Sequence, residues 1–285
     1  MITIELCGGL GNQMFQIFAT LAYSFEYKIP FWFKNNKCFP SYTTRYPYWD
    51  SLFFELKPYV YDEVPNKEIK LIKERVFNYC EIPFKNQTNE NIVLSGYFQS
   101  YKYFDKHFKT IYDTLRFEDK KINLKKKYAH LNFDKTISMH FRLGDYFNFP
   151  DIHPIVTYSY YYNSLKYIVL NNSEKQNNFS VMYFHENNNA RDINIVNSVI
   201  NTLRNEFQTV EFLESPEMSD WETLLLMSFC KHNIIANSSF SWWGAYLNNN
   251  ENKIVTYPHR WFGNGCSHNT SDLCPQQWVC VSCLI

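Results

Sequence analysis

The sequence carries no excess of charge of either sign. Lysine plus arginine and aspartate plus glutamate both number 28, for a formal net charge of +0. Broad nucleic-acid binding requires a basic face, so no nucleic-acid partner is expected and any anion site must be a local cluster. Long apolar runs are missing as well. No stretch approaches the ~20 apolar residues that span a bilayer, and residues 1–6 have neither the basic region nor the apolar core of a leader. The expectation is a soluble, cytoplasmic protein with no membrane span. Nor do the cysteines form a matched zinc set. Cys280 and Cys283 have CxxC spacing, with Cys266, Cys274 and His268 nearby, but no second CxxC accompanies them. Reduced thiols are therefore expected in this tail. Cys7, Cys38, Cys80 and Cys230 are scattered and read as small core residues.

What is present is bulk enough for a core. Of the 285 residues 45% are apolar and 20% charged, which allows one large domain or two ordinary ones and disfavours disorder. Aromatic residues reach 19%. They either fill a bulky core or, in part, line a sugar site with amphipathic rings.

Residues 2–7 alternate in polarity and lead into a glycine turn at 8–13. Met14, Phe15, Phe18, Leu21 and Ala22 then fall at helical spacing. This is strand, glycine turn, helix. A second strand is expected at 31–33 and a third at 92–94, with residues 34–90 as loops and short helices. Lysine runs near 120–127 mark a boundary at about residue 125. Beyond it strands at 136–141, 181–184, 210–212, 233–236 and 253–256 alternate with helices at 158–170, 190–203, 221–230 and 240–247. Repeated βα units imply a parallel sheet wrapped by helices. The expected division is residues 1–125 and 126–285.

Three motifs sit where such strands end. The most informative is His140-Phe141-Arg142-Leu143-Gly144-Asp145-Tyr146. It puts an imidazole, a guanidinium and a carboxylate at a strand's carboxyl end, the edge where open α/β sheets bind ligands. The planar, permanently charged arginine fork suits phosphate, so a nucleotide diphosphate is the expected ligand. The plainer alternative is an Arg142–Asp145 pair closing a turn. The second motif is the glycine turn with Gly11 and Asn12. Backbone N–H groups there could meet an anion at a helix start, or the turn is simply a tight connection. A P-loop needs Gly-Lys-Ser/Thr, and the dinucleotide fingerprint needs a glycine where Met14 stands. Neither is met, which disfavours a nicotinamide oxidoreductase. The third motif, residues 237–245, opens a helix with Asn237, Ser238, Ser239 and Phe240. It is either an ordinary N-cap or a neutral phosphate cradle.

Taken in order, Gly8-Gly9-Leu10-Gly11-Asn12-Gln13-Met14-Phe15-Gln16, Gly96-Tyr97-Phe98-Gln99-Ser100, His140-x-Arg142-x-Gly144-Asp145-Tyr146, Asn237-Ser238-Ser239-Phe240-Ser241-Trp242-Trp243-Gly244-Ala245 and Leu273-x-Pro275-x-x-Trp278 resemble the α-1,2-fucosyltransferases of glycosyltransferase family 11. The resemblance spans nearly the whole chain. It implies an α/β, GT-B-like fold of two Rossmann-like halves with a cleft between them, the first half on the acceptor side and the second binding the donor. It implies GDP-β-L-fucose as donor, the 2-hydroxyl of a galactose-terminated glycan as acceptor, inversion, and neither cofactor nor metal. No Asp-x-Asp metal motif is evident.

By the same resemblance Arg142 and His140 contact the donor pyrophosphate, and Ser238, Ser239 and Phe240 form the phosphate-binding turn. Gly11 and Asn12 complete the donor-binding candidates. Asp145 is expected to orient the Gly144 turn or pair with a basic group rather than to deprotonate the acceptor. The sequence singles out no carboxylate for that step, and proton removal by the donor phosphate is an open alternative.

Two departures bear on the nucleotide. The family's Phe-Ser-Asp-Asp is Phe184-His185-Glu186-Asn187 here, so Glu186 is assigned to the guanine edge and His185 to the surface. A usually acidic position is Thr223, with Glu222 beside it. The rival readings are a transferase using another sugar nucleotide and a non-catalytic sugar-nucleotide or glycan binder.

Overall fold

A computed structural model describes residues 1–39, 44–63, 68–84, 90–172, 179–186 and 189–283. The chain groups into two compact units, Met1–Ile122 with His268–Pro275, and Asn123–Ser267 with Gln276–Ile285. Both are α/β with parallel strands.

In the first unit β1 (Ile2–Ile4) and β5 (Glu90–Ser95) lie side by side, with Ile2 opposite Ile92 and Ile4 opposite Leu94. Every residue of β1 is buried, as a parallel strand covered on both faces requires. The third strand of this sheet is β4 (Glu68–Lys73), giving the order β1-β5-β4. Sequence reading placed β4 within an irregular region. It is an edge strand whose Ile69 and Leu71 stay exposed, so no buried face imposes a readable alternation. Two short strands, β2 (Phe33–Lys34) and β3 (Val60–Tyr61), pair separately.

Helix α1 (Leu10–Tyr27) buries Met14, Phe15, Phe18, Leu21 and Ala22, the residues expected from helical spacing. It ends where Lys28 turns left-handed at φ 53° and donates its N–H to the Ser24 carbonyl. Phe18 meets the rings of Phe104, Phe108 and Phe117 at 5.4–6.1 Å, so much of the aromatic content fills this core. Helix α2 (Phe108–Thr114) follows, and the division between units falls inside α3 (Phe117–Lys127). Residues 268–275 were expected with the second half but pack on the first. Ser100 Oγ donates to the Asp272 carbonyl at 2.8 Å, the Lys102 ammonium pairs with the Asp272 carboxylate, and His268 stacks on Phe77 at 4.8 Å.

The second unit is built on six strands, all parallel: β6 (Thr136–His140), β7 (Ser180–Phe184), β8 (Glu211–Glu214), β9 (His232–Ile234), β10 (Val255–Pro258) and β11 (Val279–Val281). Their order is β11-β10-β9-β6-β7-β8. β6 is buried throughout and central. From it the chain first builds outward through β7 and β8, then returns to its other side and builds through β9 and β10. The direction of winding therefore reverses between β6 and β9.

Ile137, Met139, Val181, Phe212 and Ile234 of these strands pack on Tyr160, Tyr161, Leu165 and Ile168 of α4 (Tyr158–Asn171) and on Val196, Ile200 and Leu203 of α5 (Ala190–Glu206). Two shorter helices, α6 (Asp220–Met227) and α7 (Ser239–Tyr246), meet at Gly244, where an added Cβ would lie 2.8 Å from the Met227 Cβ. β11 was not anticipated from sequence. Among the described residues no helix is long and apolar enough to cross a membrane.

Candidate functional site

Where winding reverses, two neighbouring strands send their following loops to opposite sides, leaving a crevice at their carboxyl ends for ligands. β6 ends at His140 and β9 at Ile234, so the His140–Tyr146 and Asn237–Phe240 motifs lead off from the two strands flanking this point. The structure ties them together. The Tyr146 hydroxyl donates to the Asn237 carbonyl at 2.9 Å, and the His140 and Phe240 rings lie 5.6 Å apart. Asn237 is fixed in turn by donating from Nδ2 to the carbonyls of Pro154 at 2.9 Å and Trp261 at 3.1 Å.

Arg142 is the centre of the cluster. Its side chain is 12% exposed, and its guanidinium lies 4.7 Å over the Tyr146 ring. Nη1 donates to Glu186 Oε1 at 2.6 Å and Nη2 to the Asp145 carboxylate. Burial by itself would lower the proton affinity of Arg142, but Glu186, Tyr146 and Asp145 outweigh it and hold the group above its ordinary value. It is a fixed cation. Asp145 thus pairs with a basic group, Arg142. Glu186, assigned to the guanine edge, is here the second partner of Arg142. Asn187, the next residue of that motif, lies outside the described residues.

His140 is buried, and its Nδ1 has no hydrogen-bond partner among the described residues. Burial, then Arg142 and His185, lower its pKa to about 3. It is therefore a neutral imidazole, and a buried nitrogen without a partner costs free energy that a ligand can restore. At the amino end of α7 the Ser238 side chain accepts from the Phe240 N–H at 3.3 Å, and Ser239 and Phe240 are half-buried in the first turn. A cation, a neutral imidazole and a helix start at one sheet edge suit an extended anion such as a diphosphate. His185, expected at the surface, instead has a buried side chain paired with Glu214 at 3.0 Å. Glu222 and Thr223 hold the start of α6, where Glu222 forms a capping box with Ser219.

Gly11 and Asn12 belong to the first unit. Asn12 Oδ1 accepts from Gln99 Nε2 at 2.8 Å, while Gln13 Nε2 donates to the carbonyls of Gly8 at 3.0 Å and Tyr46 at 2.9 Å. Gly8 has φ +77°, and a Cβ there would meet Asn12 Nδ2 at 2.5 Å. These bonds describe a tight connection tied to residues 96–100.

Sequence reasoning missed Asp192. It is 1% exposed, and its Oδ2 accepts the Gly144 N–H at 2.9 Å and Asn189 Nδ2 at 2.9 Å. Gly144 stands at φ +62°, in the left-handed region, within the turn that carries Arg142 and Asp145. Arg191 contacts the same turn, donating to the Gly144 carbonyl at 3.4 Å with its guanidinium 3.8 Å over Phe147. The signal was present: Asn189 caps α5 and bonds the Asp192 N–H, an N-cap pair with an acidic residue three positions on.

The model of Glycosyl transferase family 11 matches residues 1–280 of this chain. The chain is 28% identical to the Escherichia coli protein Alpha-1,2-colitosyltransferase across 98% of each chain. It is 30% identical to the Escherichia coli O-antigen biosynthesis glycosyltransferase WbnK, over 71% of this chain and 63% of that one. Among solved structures, a mutant of Arabidopsis thaliana FUT1 in complex with GDP is 10% identical with a TM-score of 0.46, covering 89% of this chain and 69% of that one.

Proposed function

Because the chain belongs to glycosyl transferase family 11, we propose that it transfers L-fucose from GDP-β-L-fucose to the 2-hydroxyl of a galactose-terminated glycan, with inversion. The carrying observation is the Arg142 guanidinium, fixed by Tyr146, Asp145 and Glu186 at the reversal point of the sheet. When the bond from the sugar C1 to the β-phosphate breaks, charge collects on the departing diphosphate. A cation already in place stabilises that state more than the ground state. Arg142, His140 and the turn of Ser238, Ser239 and Phe240 take the diphosphate, and Glu186 can exchange its bond to Arg142 for the guanine edge. With the leaving charge met by these groups, no metal is required, and turnover in EDTA tests that point.

A second reading concerns the sugar. The relative matching at 28% is named for colitose, the 3-deoxy form of L-fucose, and for an α-1,2 linkage. Either sugar presents the same C1 chemistry to Arg142. The test is direct. GDP, UDP and ADP are titrated against the purified protein, then GDP-fucose and GDP-colitose are offered with a panel of galactosides and the product linkage is read by NMR. A preference for UDP overturns the donor assignment. Affinity for the sugar nucleotide without acceptor-dependent release of GDP assigns a binder instead of an enzyme.

A further inference from the structure

One side chain beside the diphosphate candidates has no role in the reading above. His153 sits in the loop after the 3-10 turn Gly144–Asn148, and the loop is pinned. Its own N–H donates to the Phe149 carbonyl at 2.7 Å, and the Pro154 carbonyl accepts from Asn237 at 2.9 Å. On the other side the Gly263 N–H reaches the Ile152 carbonyl at 2.9 Å and the Gly265 N–H the Asp151 carbonyl at 2.7 Å. A Cβ at Gly263 would lie 2.4 Å from the Asp151 oxygen, so these segments meet at backbone distance.

The imidazole this loop presents stacks on Tyr146, with centroids 4.5 Å apart and planes 16° from parallel. Arg142 lies 4.7 Å over the same ring. Arg142 and His153 therefore both contact the one ring, that of Tyr146. His153 is half-buried, and neither ring nitrogen is hydrogen-bonded to a described residue. The charged groups that act on it are Asp145 and Arg142, with Tyr146 stacked on it; Phe262, 6.2 Å away, belongs to the segment that carries His259 and Arg260. Arg260 is held by Asn264 at 2.9 Å. Burial lowers the proton affinity of His153, Asp145 pulls it up and Arg142 pulls it down, leaving it below the ordinary value of 6.5. The ring is therefore neutral near pH 7, with a lone pair available.

An inverting displacement needs its nucleophile on the face of C1 opposite the leaving group. The proton acceptor must then stand apart from the cation that holds the diphosphate. We propose that His153 is the group that takes the proton from the acceptor hydroxyl. The proposal rests on the glycosyl-transfer reading of this site. The acceptor oxygen bonds to C1 of the donor sugar while the C1–O bond to the β-phosphate breaks. The hydroxyl proton passes to a ring nitrogen of His153, and the electron pair of the broken bond leaves with the nucleoside diphosphate, facing Arg142.

The experiment uses His153→Phe, which keeps a flat ring on Tyr146 but cannot accept a proton, and His153→Ala assayed with and without added imidazole. The expected result is a kcat about 10²–10⁴-fold below wild type in His153→Phe, the range for loss of a general base, with GDP affinity by calorimetry unchanged. In the wild type kcat/KM falls on the acid side below pH 6.5, as His153 protonates, and that limb is absent from His153→Phe. Imidazole restores part of the turnover of His153→Ala. Wild-type kcat or an unchanged acid limb in His153→Phe overturns the role of His153 alone. A wild-type protein that releases no nucleotide to any galactoside overturns the functional reading and this proposal with it.

Discussion

Replacing Arg142 with alanine separates the fold from the chemistry, because the structure assigns the side chain unequal weight in each. Its two ion-pair partners are not sealed in: the Asp145 side chain is 26% exposed and that of Glu186 46%. Once Arg142 is gone both carboxylates can rehydrate. Exposed pairs are worth about 0–1 kcal/mol each, and the contact with Tyr146 adds roughly 0.5–2 kcal/mol. A stability loss of about 0.5–4 kcal/mol follows from those ranges, below the ~5–15 kcal/mol by which native folds are typically stable. The effect on turnover is larger. Losing one preorganised contact to developing charge costs about 2.7–4 kcal/mol, or 10²–10³ in rate. Arg142→Ala is therefore expected to keep its circular dichroism spectrum while losing nearly all acceptor-dependent release of GDP. Arg142→Lys should fall between, because a point charge cannot hold two carboxylates in a planar fork. Near-normal turnover in a folded Arg142→Ala protein would refute the reasoning, since the charge on the leaving group would then be stabilised elsewhere.

Other consequences follow from neighbouring residues. Asp192→Ala leaves the Gly144 N–H without its acceptor and should cost about 1–3 kcal/mol in urea unfolding, whereas Asp192→Asn, which keeps an acceptor oxygen, should cost less; equal losses would show that the bond is unimportant. The His140 ring binds a proton in the folded protein only near pH 3, while in the unfolded chain it does so near the ordinary 6.5. Between those values the unfolded state holds more protons, so stability falls as pH drops, by about 1.4 kcal/mol per unit from this group. Denaturant midpoints measured at pH 7 and pH 5 for the wild type and His140→Phe should show a smaller difference in the variant. Gly244→Val places side-chain atoms where a Cβ already lies 2.8 Å from Met227, and should lower stability by roughly 1–3 kcal/mol in thermal or denaturant melts through overpacking.

Much of this architecture was readable because its signals are local. The alternation of residues 2–7, the helical spacing from Met14 to Ala22 and the βα succession after residue 136 each reside within one element and its cap. The strands that went unread, β3, β4 and β11, are edges of their sheets. With one side unpaired and weak burial, an edge strand need not carry a strong pattern. The tail segment 268–275 was misplaced because nothing in its composition records that Ser100, Lys102 and Phe77 receive it.

By itself the sequence determined that the second half is a run of βα units and that His140, Arg142, Asp145 and Ser238 stand at element ends, because periodicity and capping are short-range properties. Only the tertiary structure decided which of those ends meet. Strand order puts Asn237 under the Tyr146 hydroxyl across 91 residues of chain, brings Glu186 and Asp192 to the turn of Arg142, and the loop that follows lays His153 on the Tyr146 ring. The physical reason is that a parallel sheet of given strands can be ordered in several ways, and the order is chosen by the packing of the whole unit.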